Sequence, residues 1–220
     1  MTEKQGSRRR PDARARWKQN PEAVKANILL VASEVFATNG LSGARVDEIA
    51  ARTETSKRMI YYYFGDKEGL YRAVLEAAYQ EVREGERELN LEGLEPEPAL
   101  RRLVEFTFDH HHRHPAFIRL VMIENIHHGR YLSQSDLIRE LNRGAIENLE
   151  AVLDRGRQAG IFRQDADPLV VHWHINALSF FNVSNEATFS VVFGDRLARP
   201  AGQKLLRRWV ADTVLRSIRI

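Results

Sequence analysis

The residues best suited to chemistry lie between positions 57 and 62, where cations and phenols recur at helical spacing. At 100° per residue, one face of a helix holds Lys57, Arg58, Tyr61 and Tyr62, and the opposite face holds Ile60, Tyr63 and Phe64. Arginine and lysine donate hydrogen bonds to guanine edges or phosphates, and tyrosine hydroxyls reach phosphate oxygens. We therefore predict a short helix that packs by its apolar side and offers its other side to double-stranded DNA. A solvated face with two exposed tyrosines is the alternative.

Histidines form a second group of possible ligands. Their positions are His110, His111, His112, His114, His127, His128, His172 and His174. The 110/114 spacing places two imidazoles on one helical face, as a zinc site requires, but no acidic residue completes an HExxH pattern. We therefore predict no metal ligands, no cofactor and no catalytic residues, with His111 and His112 facing solvent. A histidine-rich metal-binding protein or metal hydrolase is the alternative.

Composition excludes several other classes. The chain of 220 residues is 43% apolar and contains no cysteine, which rules out disulfides, thiolate metal sites and cysteine nucleophiles. No apolar run approaches the ~18 residues of a membrane span, and the N-terminus lacks the apolar segment of a secretory signal. We expect a soluble cytoplasmic protein with no membrane partner.

Charge is concentrated at the N-terminus. Residues 1–20 hold seven basic and two acidic side chains, whereas the rest of the chain is close to neutral. A basic arm on a near-neutral body is typical of nucleic-acid binders. A solubilising tail is the alternative.

The periodicity is helical throughout, and it predicts an all-α protein of about nine helices. Four helices are expected over residues 21–40, 46–52, 56–65 and from 67 onward. Residues 81–98 become acidic and contain prolines, which predicts a frayed helix end and a loop. Five more helices are expected near 97–112, 115–128, 133–159, 168–186 and 200–219. The predicted organisation is a basic arm (1–20), a helix-turn-helix domain (21–80) and a helical C-terminal domain (81–220).

The segment VDEIAARTETSKRMIYYYFGDKEGLYRAV (46–74) resembles the DNA-binding signature of the tetracycline-repressor-like (TetR) family. The shared residues are Phe36, Gly40, Glu48, Ile49, Ala50, Ser56, Lys57, Tyr61, Tyr62, Phe64, Lys67, Glu68 and Leu70. The resemblance implies a transcriptional regulator, usually a repressor. The predicted DNA-binding residues are Arg45, Thr55, Ser56, Lys57, Arg58, Tyr61, Tyr62 and Lys67, with Ser56 capping the recognition helix.

Two positions depart from the family pattern. Glu54 occupies a turn position that is usually glycine, and a positive φ there would cost about 1 kcal/mol. This departure leaves open an interaction module that has lost DNA binding. Ala44 stands where a threonine often caps the second helix, and the loss of such a cap costs roughly 1 kcal/mol unless Ser42 replaces it.

The last two predicted helices carry wide apolar stripes. In the resembled family these helices of two chains form a four-helix bundle, and a twofold dimer implies a roughly palindromic operator. The predicted dimer residues are Phe181, Leu206, Trp209, Val210 and Thr213. A core within one chain is the alternative.

A small-molecule pocket needs an apolar wall with a few polar groups. The residues expected to face it are Phe106, His110, Ile118, Met122, Asn125, Trp173, Asn176 and Phe180, although each is also compatible with plain core. Their aromatic and amide content predicts a planar or weakly polar effector.

Overall fold

The computed structural model describes residues 20–220, so the predicted basic arm lies outside the described residues except for Asn20. Within this part of the chain there are ten α-helices and two 3₁₀ turns. The helices are α1 (Pro21–Gly43), α2 (Val46–Arg52), α3 (Lys57–Phe64), α4 (Lys67–Arg87), α5 (Pro96–Arg113), α6 (Pro115–Ile126), α7 (Asp136–Gln158), α8 (Pro168–Ser184), α9 (Glu186–Phe193) and α10 (Pro200–Ile218). The all-α class is confirmed, and α9 is the helix that the sequence did not predict as separate.

The starts of the first helices follow local sequence signals. The Asn20 side chain accepts hydrogen bonds from the backbone N–H groups of Glu22 and Ala23, at 3.1 and 3.4 Å. Gly40 interrupts α1 with φ of 67°, where the Asn-Gly pair predicted a stop. The N-cap of α2 is Arg45 without a side-chain hydrogen bond. Ser42 therefore does not replace the missing cap.

The first hydrophobic core joins the helix-turn-helix to residues far along the chain. Its buried members from the N-terminal helices include Ile28, Phe36, Ile49, Ile60, Leu70 and Tyr71. Leu120, Tyr131 and Ile138 belong to the same cluster. The Tyr71 ring makes edge-to-face contacts with Phe36 at 5.1 Å and with Tyr131 at 5.3 Å. This core therefore extends across the boundary expected near residue 80.

The acidic stretch after residue 80 is more ordered than predicted. Helix α4 continues to Arg87, and both Val82 and Arg83 on it are buried. The next turn is held by Arg155 of α7, whose guanidinium donates to the backbone carbonyls of Leu91, Glu92 and Leu94 at 2.8–2.9 Å. The expected frayed helix end is therefore wrong, because packing and this arginine compensate for the polar composition.

A second core lies between α5, α7, α8 and α10. Helix α10 lies along α5, and ion pairs line the edge of this contact. Arg101 pairs with Asp212 at 2.8 Å, and Arg207 pairs with Asp109 at 2.9 Å. Among residues 20–220, no helix combines the length and apolar content that crossing a membrane requires.

Candidate DNA-binding surface, effector cavity and dimer face

One side of the recognition helix α3 is buried, and the other side is exposed to solvent. The Ser56 hydroxyl accepts a hydrogen bond from the Met59 N–H at 3.2 Å, which confirms the predicted cap. Ile60 is fully buried, whereas Arg58 is exposed and Tyr62 is 77% exposed. The apolar back thus packs on α2 and α4, and the predicted DNA face is accessible.

The turn between α2 and α3 contains the strained residue that the sequence indicated. Glu54 has φ of 50°, a left-handed conformation that disfavours any residue with a Cβ atom. The Thr55 N–H donates to the Ala50 carbonyl at 3.0 Å and closes this turn. The turn therefore has the geometry that glycine would adopt, and glutamate adopts it at a cost.

Several cationic side chains lie on α3 or near its exposed side. Lys57 pairs with Asp47 of α2 at 3.2 Å, and the Lys67 ammonium donates to the Ser42 carbonyl at 3.2 Å. Within residues 20–220, Arg58 has no ion-pair partner, and Arg45 at the start of α2 is exposed. Lys57 therefore lies beside α2 and Lys67 lies beside the residues that precede α2, while the Arg58 side chain is exposed.

Helices α4 to α8 enclose a polar cavity of about 220 Å³. Its lining is Tyr79, Val82, Arg83, Glu86, Thr107, His111, Phe117, Asn142, His172, Asn176 and Phe180. Arg83 and Glu86 form a buried ion pair, and Arg83 Nη2 donates a hydrogen bond to Asn142 Oδ1 at 3.4 Å. A buried ion pair flanked by three aromatic rings is suited to a compact ligand with polar groups.

The two cavity histidines are neutral at physiological pH. Burial, together with the nearby Arg83 charge, lowers the pKa of His111 to about 4 and that of His172 to about 4. Burial also raises the pKa of Glu86 above its usual value, against the opposing effect of Arg83. His111 Nδ1 is buried without a hydrogen-bond partner among the described residues. The cavity thus offers neutral imidazole groups as donors or acceptors.

Only part of the predicted effector set reaches this cavity. Asn176 and Phe180 line it, whereas Phe106, His110, Ile118, Met122, Asn125 and Trp173 do not. Ile118 is buried in the packed interior. Met122, Asn125 and Trp173 are exposed, so the inward orientation expected for these three residues is wrong. His111 is 4% exposed, which also overturns its predicted solvent position. His112 is exposed as predicted.

The sequence did not reveal the cavity's charged residues. Arg83 and Glu86 lie in the acidic stretch that predicted a frayed helix end. They continue the inward face of α4 that begins with Leu75 and Tyr79, at spacings of three and four residues. Following that period past residue 80 would have identified both.

An apolar surface runs over α8, α9 and α10. Its exposed members are Leu169, Val170, Trp173, Leu178, Phe181, Val191, Val192, Phe193 and Trp209. A hollow of about 430 Å³ between these helices is lined in part by Phe181, Leu206 and Val210. Val210 is 7% exposed because it packs in the second core. Of the predicted dimer residues, Phe181, Trp209 and Thr213 are the exposed ones.

These features define an all-α helix-turn-helix protein, and comparisons with known proteins agree with this class. The family model "Bacterial regulatory proteins, tetR family" matches residues 28–74, and "Tetracyclin repressor-like, C-terminal domain" matches residues 96–214. The repressor NicS of Pseudomonas putida is 34% identical over 201 residues, which cover 91% of this chain and 95% of NicS. The activator FasR of Mycolicibacterium smegmatis is 33% identical over 108 residues, which cover 49% of each protein.

A solved structure supports the same assignment. The crystal structure of the regulator SCO4942 from Streptomyces coelicolor has a TM-score of 0.68 and 26% identity, covering 89% of this chain and 98% of that chain. The chain belongs to the TetR family. It is a DNA-binding transcription regulator and not an enzyme.

Proposed function

We propose that the protein is a homodimeric repressor that binds a palindromic operator and is regulated by a small molecule. The observation that carries this proposal is the exposed face of α3, with Arg58 free of ion pairs among the described residues and Tyr62 largely exposed. The name of NicS, a repressor similar to this chain over nearly its whole length, favours repression over activation. Operator binding would place the protein in the bacterial cytoplasm.

The apolar surface on α8, α9 and α10 supports the dimer. Isolated exposed apolar residues are ordinary, but a continuous patch of large side chains marks an interaction site. Trp209 is 63% exposed and Phe181 is 54% exposed, so a second copy would remove much aromatic surface from water. Twofold pairing would hold two α3 helices at the fixed spacing that a palindromic operator requires.

The polar cavity supports regulation by a compact effector. Tyr79, Phe117 and Phe180 provide flat apolar contacts, while Arg83 and Asn176 provide hydrogen-bonding groups. The cavity borders α4, whose first residue Lys67 lies on the DNA-binding surface. An effector that favours one position of α4 would therefore change operator affinity through differential binding to the two conformations.

The DNA-binding proposal is tested by fluorescence anisotropy on labelled DNA flanking the protein's own gene. If Arg58 contacts a base, Arg58→Ala should weaken binding by about 1–3 kcal/mol. If Lys67 contacts phosphate, Lys67→Ala should weaken all sequences alike and reduce the salt slope by about 0.9. Arg143→Ala is the matched control, because Arg143 is an exposed arginine on the distant helix α7. If Arg58→Ala and Lys67→Ala both bind the labelled DNA as tightly as the parent protein does, the proposal is contradicted.

The dimer proposal is tested by sedimentation of Trp209→Glu. A carboxylate within the apolar surface would be buried without a partner on association, so this variant should sediment as a monomer and lose operator affinity. Ile126→Glu is the control, because Ile126 is also largely exposed but lies at the end of α6. A helical Trp209→Glu protein that remains dimeric would place the interface elsewhere.

A further inference from the structure

Three side chains that can bind metal meet outside the DNA-binding surface. Glu81 on α4, His110 on α5 and His114 between α5 and α6 each place one ligand atom within 4.8 Å of the others. The two imidazole rings are stacked with centroids 4.3 Å apart and planes 3° apart. His114 Nδ1 lies 3.4 Å from Glu81 Oε1. The acidic residue missing from the histidine motif in sequence is thus supplied by a different helix.

His110 is the unusual member of this group. It is 5% exposed, and neither of its ring nitrogens has a hydrogen-bond partner among the described residues. Buried polar groups in proteins are nearly always satisfied, so an imidazole with two unsatisfied nitrogens calls for a missing partner. Hydrophobic packing alone would favour an apolar side chain at this position.

We propose that Glu81, His110 and His114 form a binding site for a divalent transition-metal ion such as Zn²⁺. Two imidazoles and one carboxylate are a ligand set that zinc accepts, with the fourth position left to water. Neighbouring ligands of tetrahedral zinc are about 3.3 Å apart, and each imidazole binds the ion in its own ring plane. The His114 ring would therefore turn out of its stack on His110 so that both rings reach one ion. The exposed Glu81 and the half-buried His114 give the ion a path from solvent.

The site is next to the polar cavity but shares no residue with its lining. A bound ion would connect α4, which follows the recognition helix, to the junction of α5 and α6. The ion would therefore be a second input to the same helix, bound at a different place from the effector.

The test is isothermal titration of the metal-free full-length protein with ZnCl₂, compared with MgCl₂. We expect one Zn²⁺ per chain and no Mg²⁺ binding, because imidazole ligands favour zinc over magnesium. Glu81→Gln and His114→Asn should each weaken Zn²⁺ binding by at least about tenfold, a loss seen even for outer-shell partners. Glu84→Gln on α4 and the exposed His112→Asn are matched controls that should bind as the parent does.

Two outcomes would overturn the proposal. One is the absence of stoichiometric Zn²⁺ binding by the parent protein. The other is equal affinity in the parent, Glu81→Gln and His114→Asn, with circular dichroism showing that all are folded. Visible absorption of bound Co²⁺, present in the parent and lost in the two variants, would support the assigned ligands. None of these measurements requires DNA, so they remain valid if the operator proposal fails.

Discussion

Replacing Glu54 by glycine tests whether the turn before the recognition helix stores strain. The backbone φ of 50° at this residue costs a residue with a Cβ atom about 1–2 kcal/mol. Glycine avoids that cost but loses about 0.5–1 kcal/mol through the greater freedom of the unfolded chain. The difference predicts that glycine is more stable than alanine at this position by about 0.5–1 kcal/mol.

The appropriate comparison is Glu54→Gly against Glu54→Ala, because both variants lose whatever the carboxylate contributes. Urea unfolding followed by circular dichroism measures the two free energies of unfolding. The thermal midpoints should differ by about 1–4 °C in a chain of this size. If the alanine variant is as stable as the glycine variant, the left-handed turn is not strained as the geometry indicates. Operator affinity should be equal in both, since neither change moves α3.

Two further predictions concern helices α7 and α8. A Cβ atom at Gly156 would lie 1.9 Å from the buried Phe162 ring, so Gly156→Ala should lower the free energy of unfolding by about 1–3 kcal/mol. Gly144→Ala in the same helix is the control, because a Cβ atom there meets nothing within 4 Å. This variant should be more stable by up to about 1 kcal/mol. Equal effects of the two substitutions on the free energy of unfolding would contradict the packing argument. The pKa of His172, about 4 in the folded protein, lies below the unfolded value near 6.5. The unfolded chain therefore takes up the proton first, and lowering the pH from 6.5 to 4 should remove on the order of 2–3 kcal/mol of stability. His172→Gln should flatten this pH dependence in urea titrations, and an unchanged slope would show that the imidazole is not held neutral.

Local signals predicted the DNA-binding part of the molecule well. Asn20, Ser56 and Gly40 act on the nearest backbone groups, so their effect on helix ends can be read from sequence. The amphipathic period of α3 likewise separated the buried Ile60 from the exposed Arg58.

The features of the later helices were harder to predict, because they depend on how the helices pack against one another. The apolar period of α8 predicted an inward position for Trp173, yet this side chain is exposed. The charge of Arg83 indicated solvent, yet pairing with Glu86 allows it to be buried. Glu81 approaches His110 and His114 only through tertiary packing, about thirty residues away in sequence. The approach of Glu81 to the two histidines has no local signal in the sequence.

The core shared between the helix-turn-helix and the later helices limits how the chain can be recombined. A chimera joined near residue 80 would surround Tyr71 with side chains selected for another partner, because its edge-to-face neighbour Tyr131 would be replaced. Leu120 and Ile138 would be exchanged at the same time. An exchangeable DNA-reading unit in this protein would therefore have to include residues 115–138 together with residues 20–80. Substitutions at Tyr71 and Tyr131 are expected to compensate one another, although sixty positions separate them in the chain.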